Sequence, residues 1–190
     1  MGLYIKEHAD TIDNCRFCWM CRHVCTQGKA TSNEIHTARA LGLLLASINK
    51  GANDYNSRTA EILFQCCQCG YCKEWCVSSY DVPSFVRAGR ADAVKAGFVP
   101  GTVKTVIESL DAYGQPFSPA LKVEDELSCK INEINNNNSC SETLLYLGSF
   151  ARYLRPEVAK AAISLLGKLD ISFNVMENEP DSGHYYYNLG

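Results

Sequence analysis

The stretch Cys15-Arg-Phe-Cys-Trp-Met-Cys-Arg-His-Val-Cys25 recurs 51 positions on as Cys66-Cys-Gln-Cys-Gly-Tyr-Cys-Lys-Glu-Trp-Cys76. Cys15 answers to Cys66, Cys18 to Cys69, Cys21 to Cys72 and Cys25 to Cys76, so both runs read C-x2-C-x2-C-x3-C. Thiolates at this spacing hold cubane iron–sulfur clusters: three wrap one face of a cluster, and the fourth reaches the neighbouring one. The crossing gives two ligand sets. Cys15, Cys18, Cys21 and Cys76 would hold one [4Fe–4S] cluster, and Cys66, Cys69, Cys72 and Cys25 the other. Zinc prefers four tetrahedral ligands drawn from two close pairs and suits these triplets poorly. A disulfide framework needs an oxidising compartment, and the N-terminus carries no secretory pattern.

The 190 residues suit one or two small domains, and 46% hydrophobic residues is ordinary for a globular protein. A formal charge of −3 shows no basic excess, which argues against a nucleic-acid partner. Eight ligands out of eleven cysteines leave Cys67, Cys129 and Cys140, read as free thiols in a reducing cytoplasm. No apolar run reaches the roughly 18 residues of a membrane span; the most apolar, Leu41 to Ile48, is far shorter. The expectation is a cytoplasmic protein, with at most peripheral membrane association.

Outward from the first run, Thr31-Ser-Asn-Glu34 fits a capping box. It predicts a helix from about Ser32 to Lys50, with Ile35, Leu41, Leu44, Leu45 and Ile48 inward and Gly51 ending it. Residues 59–65 predict a short helix delivering Cys66. Pro83 opens a helix that Gly97 closes, and a further helix over about Thr102 to Tyr113 would bury Val103, Val106, Ile107 and Leu110. These elements make an all-helical domain over residues 1–113. Residues 114–142 read as a linker with little core content. From Thr143 the pattern changes: a strand at Leu144 to Leu147, a turn at Gly148, a helix from Pro156 to about Lys168, and a second strand at Ile171 to Met176. The helix is expected to turn Val158, Ala162, Leu165, Leu166 and Leu169 inward. Residues 143–190 thus form a parallel βαβ unit. Such a unit buries little surface alone, so it is expected either to continue beyond Gly190 or to dock onto a partner.

Taken together these features resemble the iron–sulfur subunits related to heterodisulfide reductase. That group includes the iron–sulfur subunits of glycolate oxidase and of anaerobic glycerol-3-phosphate dehydrogenase. Leu63-Phe-Gln-Cys-Cys-Gln-Cys-Gly-Tyr-Cys followed by Asp81-Val-Pro83 is like the family's second motif, and Tyr146-Leu-Gly-Ser-Phe-Ala-Arg-Tyr-Leu-Arg-Pro156 is like the opening of its Cys-Cys-Gly domain. The resemblance implies an α-helical ferredoxin domain with two [4Fe–4S] clusters, then a linker and a partial, degenerate Cys-Cys-Gly-type α/β domain. Three departures matter. Thr26 and Val77 stand where the family places proline, which implies altered loops with the clusters retained. The Gly-Cys cysteine is Ser149, and Cys-Cys-Gly appears as Asp181-Ser182-Gly183, so no additional cluster is expected there.

The resemblance implies an electron-transfer subunit of a multisubunit oxidoreductase in anaerobic metabolism, rather than the substrate-converting subunit. No Gly-rich nucleotide fingerprint or phosphate loop is present. Flavin or nicotinamide would therefore sit in a partner: a flavoprotein dehydrogenase, an electron-transfer flavoprotein or a reductase subunit. Two other readings stay open, a disulfide or heterodisulfide reductase if an intact cysteine-rich domain follows residue 190, and a redox-sensing module. Around the ligands, Arg16, Arg22, Lys29 and Lys73 would favour a reduced cluster or attract an acidic partner. Phe17, Trp19, Phe64, Tyr71 and Trp75 are expected to cover the clusters from water, His23 to donate to a sulfur, and Cys67 to be an alternative ligand.

Overall fold

The computed structural model describes residues 3–137 and 141–190. The chain divides into two units, Met1–Lys104 with Tyr185–Gly190, and Thr105–His184. Among the described residues it is mostly helical, with one two-stranded parallel sheet.

In the first unit a 3-10 turn at Tyr4–His8 leads into α1 (Ala9–Ile12), α2 (Met20–Val24), α3 (Thr26–Thr31), α4 (Ala38–Asn49), α5 (Ser57–Phe64), α6 (Tyr71–Glu74) and α7 (Val82–Lys95). α4 packs on α7, and α5 and the first turn pack on α7 as well. Leu41, Leu45 and Ile48 recur at helical spacing on α4 and meet Leu63 of α5 and Val82, Phe85 and Val86 of α7 in one core. Each such side chain contributes about 2 kcal/mol on burial. Close approach depends on Gly89, where an added Cβ would stand 2.5 Å from a Leu45 methyl. Helix starts are fixed by side chains: Thr37 accepts from Ala40 N at 3.3 Å, Asn56 and Thr59 form a capping box, and Asp81 accepts from Ser84 N at 3.2 Å.

The helix expected from Ser32 begins instead at Ala38, with Thr37 and not Thr31 as its cap. Ser32 takes a left-handed backbone (φ 50°) that ends α3, and the Thr31 hydroxyl donates back to Gln27 O at 2.9 Å. Ile35, expected inward, falls in the 3-10 turn Glu34–His36 and is exposed.

α8 (Gly101–Tyr113) crosses the division between the units, which falls after Lys104 and not after residue 113. Of its four expected core residues Leu110 is buried, while Val103, Val106 and Ile107 are half-buried. Residues 114–142 are more than a linker. They contain α9 (Asp125–Asn137), whose Leu127 and Ile131 sit in the core of the second unit with Ala159, Phe173 and Val175. The asparagine-rich composition masked an apolar pair four residues apart. Asn135 also holds the sheet edge. Its amide donates to Val175 O at 2.7 Å and accepts from Val175 N at 2.9 Å, pairing the strand as a neighbouring strand would.

β1 (Leu144–Leu145) pairs in parallel with β2 (Asn174–Val175), and α10 (Pro156–Lys168) joins them, as the sequence predicts. The buried face of α10 differs. Ala159, Ile163 and Leu166 pack inward, whereas Val158, Leu165 and Leu169 are exposed. The helix carries two apolar stripes, and packing against α9 and the sheet selects one. The last helix, His184–Leu189, groups mainly with the first unit rather than with the α/β segment, because Arg90 Nη1 donates to Asn188 O at 2.8 Å and Arg87 lies over the Tyr187 ring at 4.9 Å.

Candidate metal centres

The two cysteine runs fold alike. In the first, Phe17 (φ 54°) and Trp19 (φ 68°) take the left-handed backbone; in the second, Gln68 (φ 57°) and Gly70 (φ 77°) do so at the equivalent positions. Each loop then enters a short helix, α2 or α6, and these two helices pack together. In both loops a backbone N–H turns back on the leading sulfur, from Phe17 to Cys15 Sγ at 3.5 Å and from Gln68 to Cys66.

The packing of α2 on α6 sorts the sulfurs into two cavities. Cys15, Cys18, Cys21 and Cys76 line one, with Trp19, Arg39, Ser78 and Tyr80 around them. Cys25, Cys66, Cys69 and Cys72 line the other, together with Cys67 and Thr26. The ten described cysteines form no disulfide. Cys129 is exposed and apart from both cavities, and Cys140 lies outside the described residues. Among the described residues no group of three or more His, Cys, Asp or Glu side chains is arranged to hold a metal ion.

Electrostatics make the thiols a poor set on their own. Burial, and behind it the neighbouring Cys15, Cys76 and Cys18, push the Cys21 thiol up to about 11. Burial followed by Cys66, Cys21, Cys69 and Cys25 pushes Cys72 up to about 12. Burial also raises Cys66, against the Gln68 N–H and the positive charge of Arg90. Thiols raised in this way, as in Cys21, Cys66 and Cys72, stay protonated at neutral pH unless a cationic centre displaces their protons. Two further features fit such a centre. The Ser78 hydroxyl on the first cavity and the Gln68 amide in the second loop are buried without a hydrogen-bond partner.

The second loop is braced from behind by Arg90, which is buried at 4% exposure. Its Nε and Nη2 donate to Leu63 O at 3.2 and 3.0 Å, Nη2 also to Cys66 O, and the guanidinium stacks on Phe64. This cation lies in α7, distant in sequence from either motif. Another contact is equally illegible from spacing: the Thr26 hydroxyl lies 3.3 Å from Cys67 Sγ and 3.7 Å from Cys69 Sγ. Thr26 belongs to the first run's exit yet serves the second loop, and its hydrogen bond holds the Cys67 thiol below its ordinary value.

The aromatic cover is incomplete. Phe64 is half-buried, but Phe17 is 58%, Trp19 45%, Tyr71 45% and Trp75 48% exposed. Lys73 pairs with Asp81 at 2.7 Å and Arg22 with Glu34. Arg16 borders the first cavity, whereas His23 and Lys29 line a separate polar one. In the second unit the positions that carry cysteine in the resembled family come together as Ser149 and Asp181, with the Ser149 hydroxyl donating to Asp181 at 3.2 Å. Glu179 beside them accepts from Leu147 and Gly148 N at 2.8 and 2.7 Å. No helix among the described residues is long and apolar enough to cross a membrane. Comparison with protein-family models, with curated proteins and with solved structures returned no match.

Proposed function

We propose that this chain is an electron-transfer iron–sulfur subunit, built on an α-helical ferredoxin-type domain, of the kind related to heterodisulfide reductase. One observation carries the reading: eight cysteines from two sequence runs line two cavities in the crossed grouping, with Cys76 beside Cys15, Cys18 and Cys21, and Cys25 beside Cys66, Cys69 and Cys72. Four cysteines spread over the lining of one cavity suit a polynuclear cluster better than a single ion, because a cubane spreads its thiolates over four irons.

When bound, two [4Fe–4S] clusters supply one-electron storage at two adjoining sites. The chain's own groups do the rest. The eight cysteines give up their protons and fix the positions. Core residues behind α2 and α6 hold the loops rigid, so that little rearranges when charge changes. Arg90 places a buried positive charge next to Cys66, and Thr26 offers a hydroxyl donor to Cys69, both of which favour added negative charge at the second cavity. The partners that fit are a flavoprotein donor, such as a dehydrogenase or an electron-transfer flavoprotein, and a second redox carrier. Ser149, Asp181 and Ser182 supply hydroxyls and a carboxylate in place of thiols, which favours an electron relay over a disulfide reductase.

Anaerobic purification with iron and sulfide counting, followed by EPR during stepwise reduction, tests the proposal. About eight irons per chain with two interacting reduced signals is the expected result. Zinc in place of iron, or only about four irons, overturns it.

A further inference from the structure

The two loops expose similar rings but carry different charge. From Cys15 to Arg39 the basic residues are Arg16, Arg22, Lys29 and Arg39, against the single acid Glu34. Glu34 is taken by Arg22, while among the described residues no carboxylate stands within ion-pair distance of Arg16, Lys29 or Arg39. Arg39 instead lies over the Trp19 ring at 3.8 Å and the Phe17 ring at 5.8 Å, which holds an arginine and two exposed rings beside exposed Cys18. Over the matching stretch Cys66 to Arg90 the bases are Lys73, which Asp81 neutralises, Arg87, which donates to Ser84 and lies over the Tyr187 ring, and the buried Arg90, and Glu74 remains. The chain as a whole is acidic, so this patch runs against its net charge.

We infer that the face made by Arg16, Phe17, Trp19 and Arg39 is the docking surface for the carboxylate-rich face of an acidic redox protein, and that the second loop is not. The inference rests on the electron-transfer reading and adds to it which of the two centres the partner meets. Charge complementarity of this kind accelerates encounter and fixes orientation, and the exposed rings supply the desolvated contact at its centre. Rim cations act over about a Debye length, so the association is salt-sensitive.

The test uses an oxidised, acidic flavodoxin as probe, so that binding is read without turnover. Its affinity for the iron-loaded protein is measured calorimetrically at low and high ionic strength. Contacts are mapped by carbodiimide cross-linking, which joins the probe's carboxylates to lysines. The expected result is binding at low salt that weakens about ten-fold or more by 0.5 M salt, in line with the range of electrostatic steering. Cross-links should fall at position 16 in the Arg16→Lys variant, with Lys73 unmodified. Arg16→Glu should weaken binding by a similar factor. No association at low salt, indifference to salt, or cross-links concentrated on Lys73 overturns the docking assignment. Iron counted on the same preparation separates the two readings: full iron without binding refutes the docking face alone, whereas binding through Arg16 by a protein without iron refutes the electron-transfer reading.

Discussion

The two cysteine loops share spacing and backbone but differ in what stands behind and in front of them. The first is backed by Tyr80, whose hydroxyl donates to Ile12 O at 2.6 Å, and is faced by free arginines. The second is backed by the buried cation Arg90, receives the Thr26 hydroxyl, and presents a lysine that Asp81 neutralises. The lesson is that two runs of the same spacing and backbone are given different surroundings by residues outside the pattern. With a cation behind it and a donor beside it, the second centre is expected to have the higher potential, and the first to be the one a partner reaches.

The most drastic way to break this comparison is to remove a crossed ligand. Cys76→Ser lies in the second run but should abolish the centre of the first, lowering iron from about eight to about four per chain. The EPR signal that survives should match the one surviving in Cys15→Ser, and differ from that in Cys66→Ser. A survivor matching Cys66→Ser would mean that each run holds its own cluster.

Next in size is Arg90→Gln. It strips two carbonyls at the end of α5 and one near the C-terminus of the chain of their donor, a loss of about 2–3 kcal/mol. It also removes a positive charge from beside Cys66, so the midpoint potential of the second centre should fall, while the first hardly moves. Arg90→Lys keeps the charge but loses the planar fork. It should restore most of the potential and little of the stability, both read by potentiometric EPR and chemical denaturation. Equal shifts at both centres would remove the distinction between the loops.

Thr26→Val is smaller again. It retains shape and deletes the hydroxyl near Cys67 and Cys69, so the second centre should lose about 1 kcal/mol or less of preference for its reduced state. No change at either centre would show that this hydroxyl serves only the free thiol of Cys67.

The two cysteine runs and the helices around them were legible because they are local patterns: a fixed spacing, a proline or glycine at a helix end, an apolar row along α4. The α10 boundaries, Pro156 to Lys168, were legible for the same reason. What could not be read depends on contacts between distant segments. Arg90 looks like one more surface arginine in an amphipathic helix until α5 is laid beside it. Val158, Leu165 and Leu169 form as good an apolar stripe as the one that is buried, so periodicity could not select between them. In α9, Leu127 and Ile131 were hidden by polar neighbours, and Asn135 pairs with a strand 40 residues away. Thr26, noticed for the proline it replaces, acts across the fold on sulfurs of the other run.

The finest test concerns one position at which the loops differ while their backbones agree. Gly70 adopts φ 77° with open space where a Cβ would go, so Gly70→Ala meets only the backbone penalty of the left-handed region, about 1 kcal/mol. Trp19 bears the same strain at φ 68° in the first loop. Trp19→Gly relieves it but frees the unfolded chain, by about 0.5–1 kcal/mol, and gives up the stacking under Arg39, worth about 0.5–1 kcal/mol at a partly exposed site. Trp19 is also more than half-buried, and losing that apolar area outweighs the strain relieved, so the iron-loaded protein should lose about 1–2 kcal/mol in anaerobic denaturation. Its affinity for an acidic protein should fall as well, because Arg39 loses the ring that holds it. If Trp19→Gly stabilises the chain and leaves that affinity intact, the strained tryptophan has no role in docking, and the asymmetry between the loops reduces to what lies behind the second.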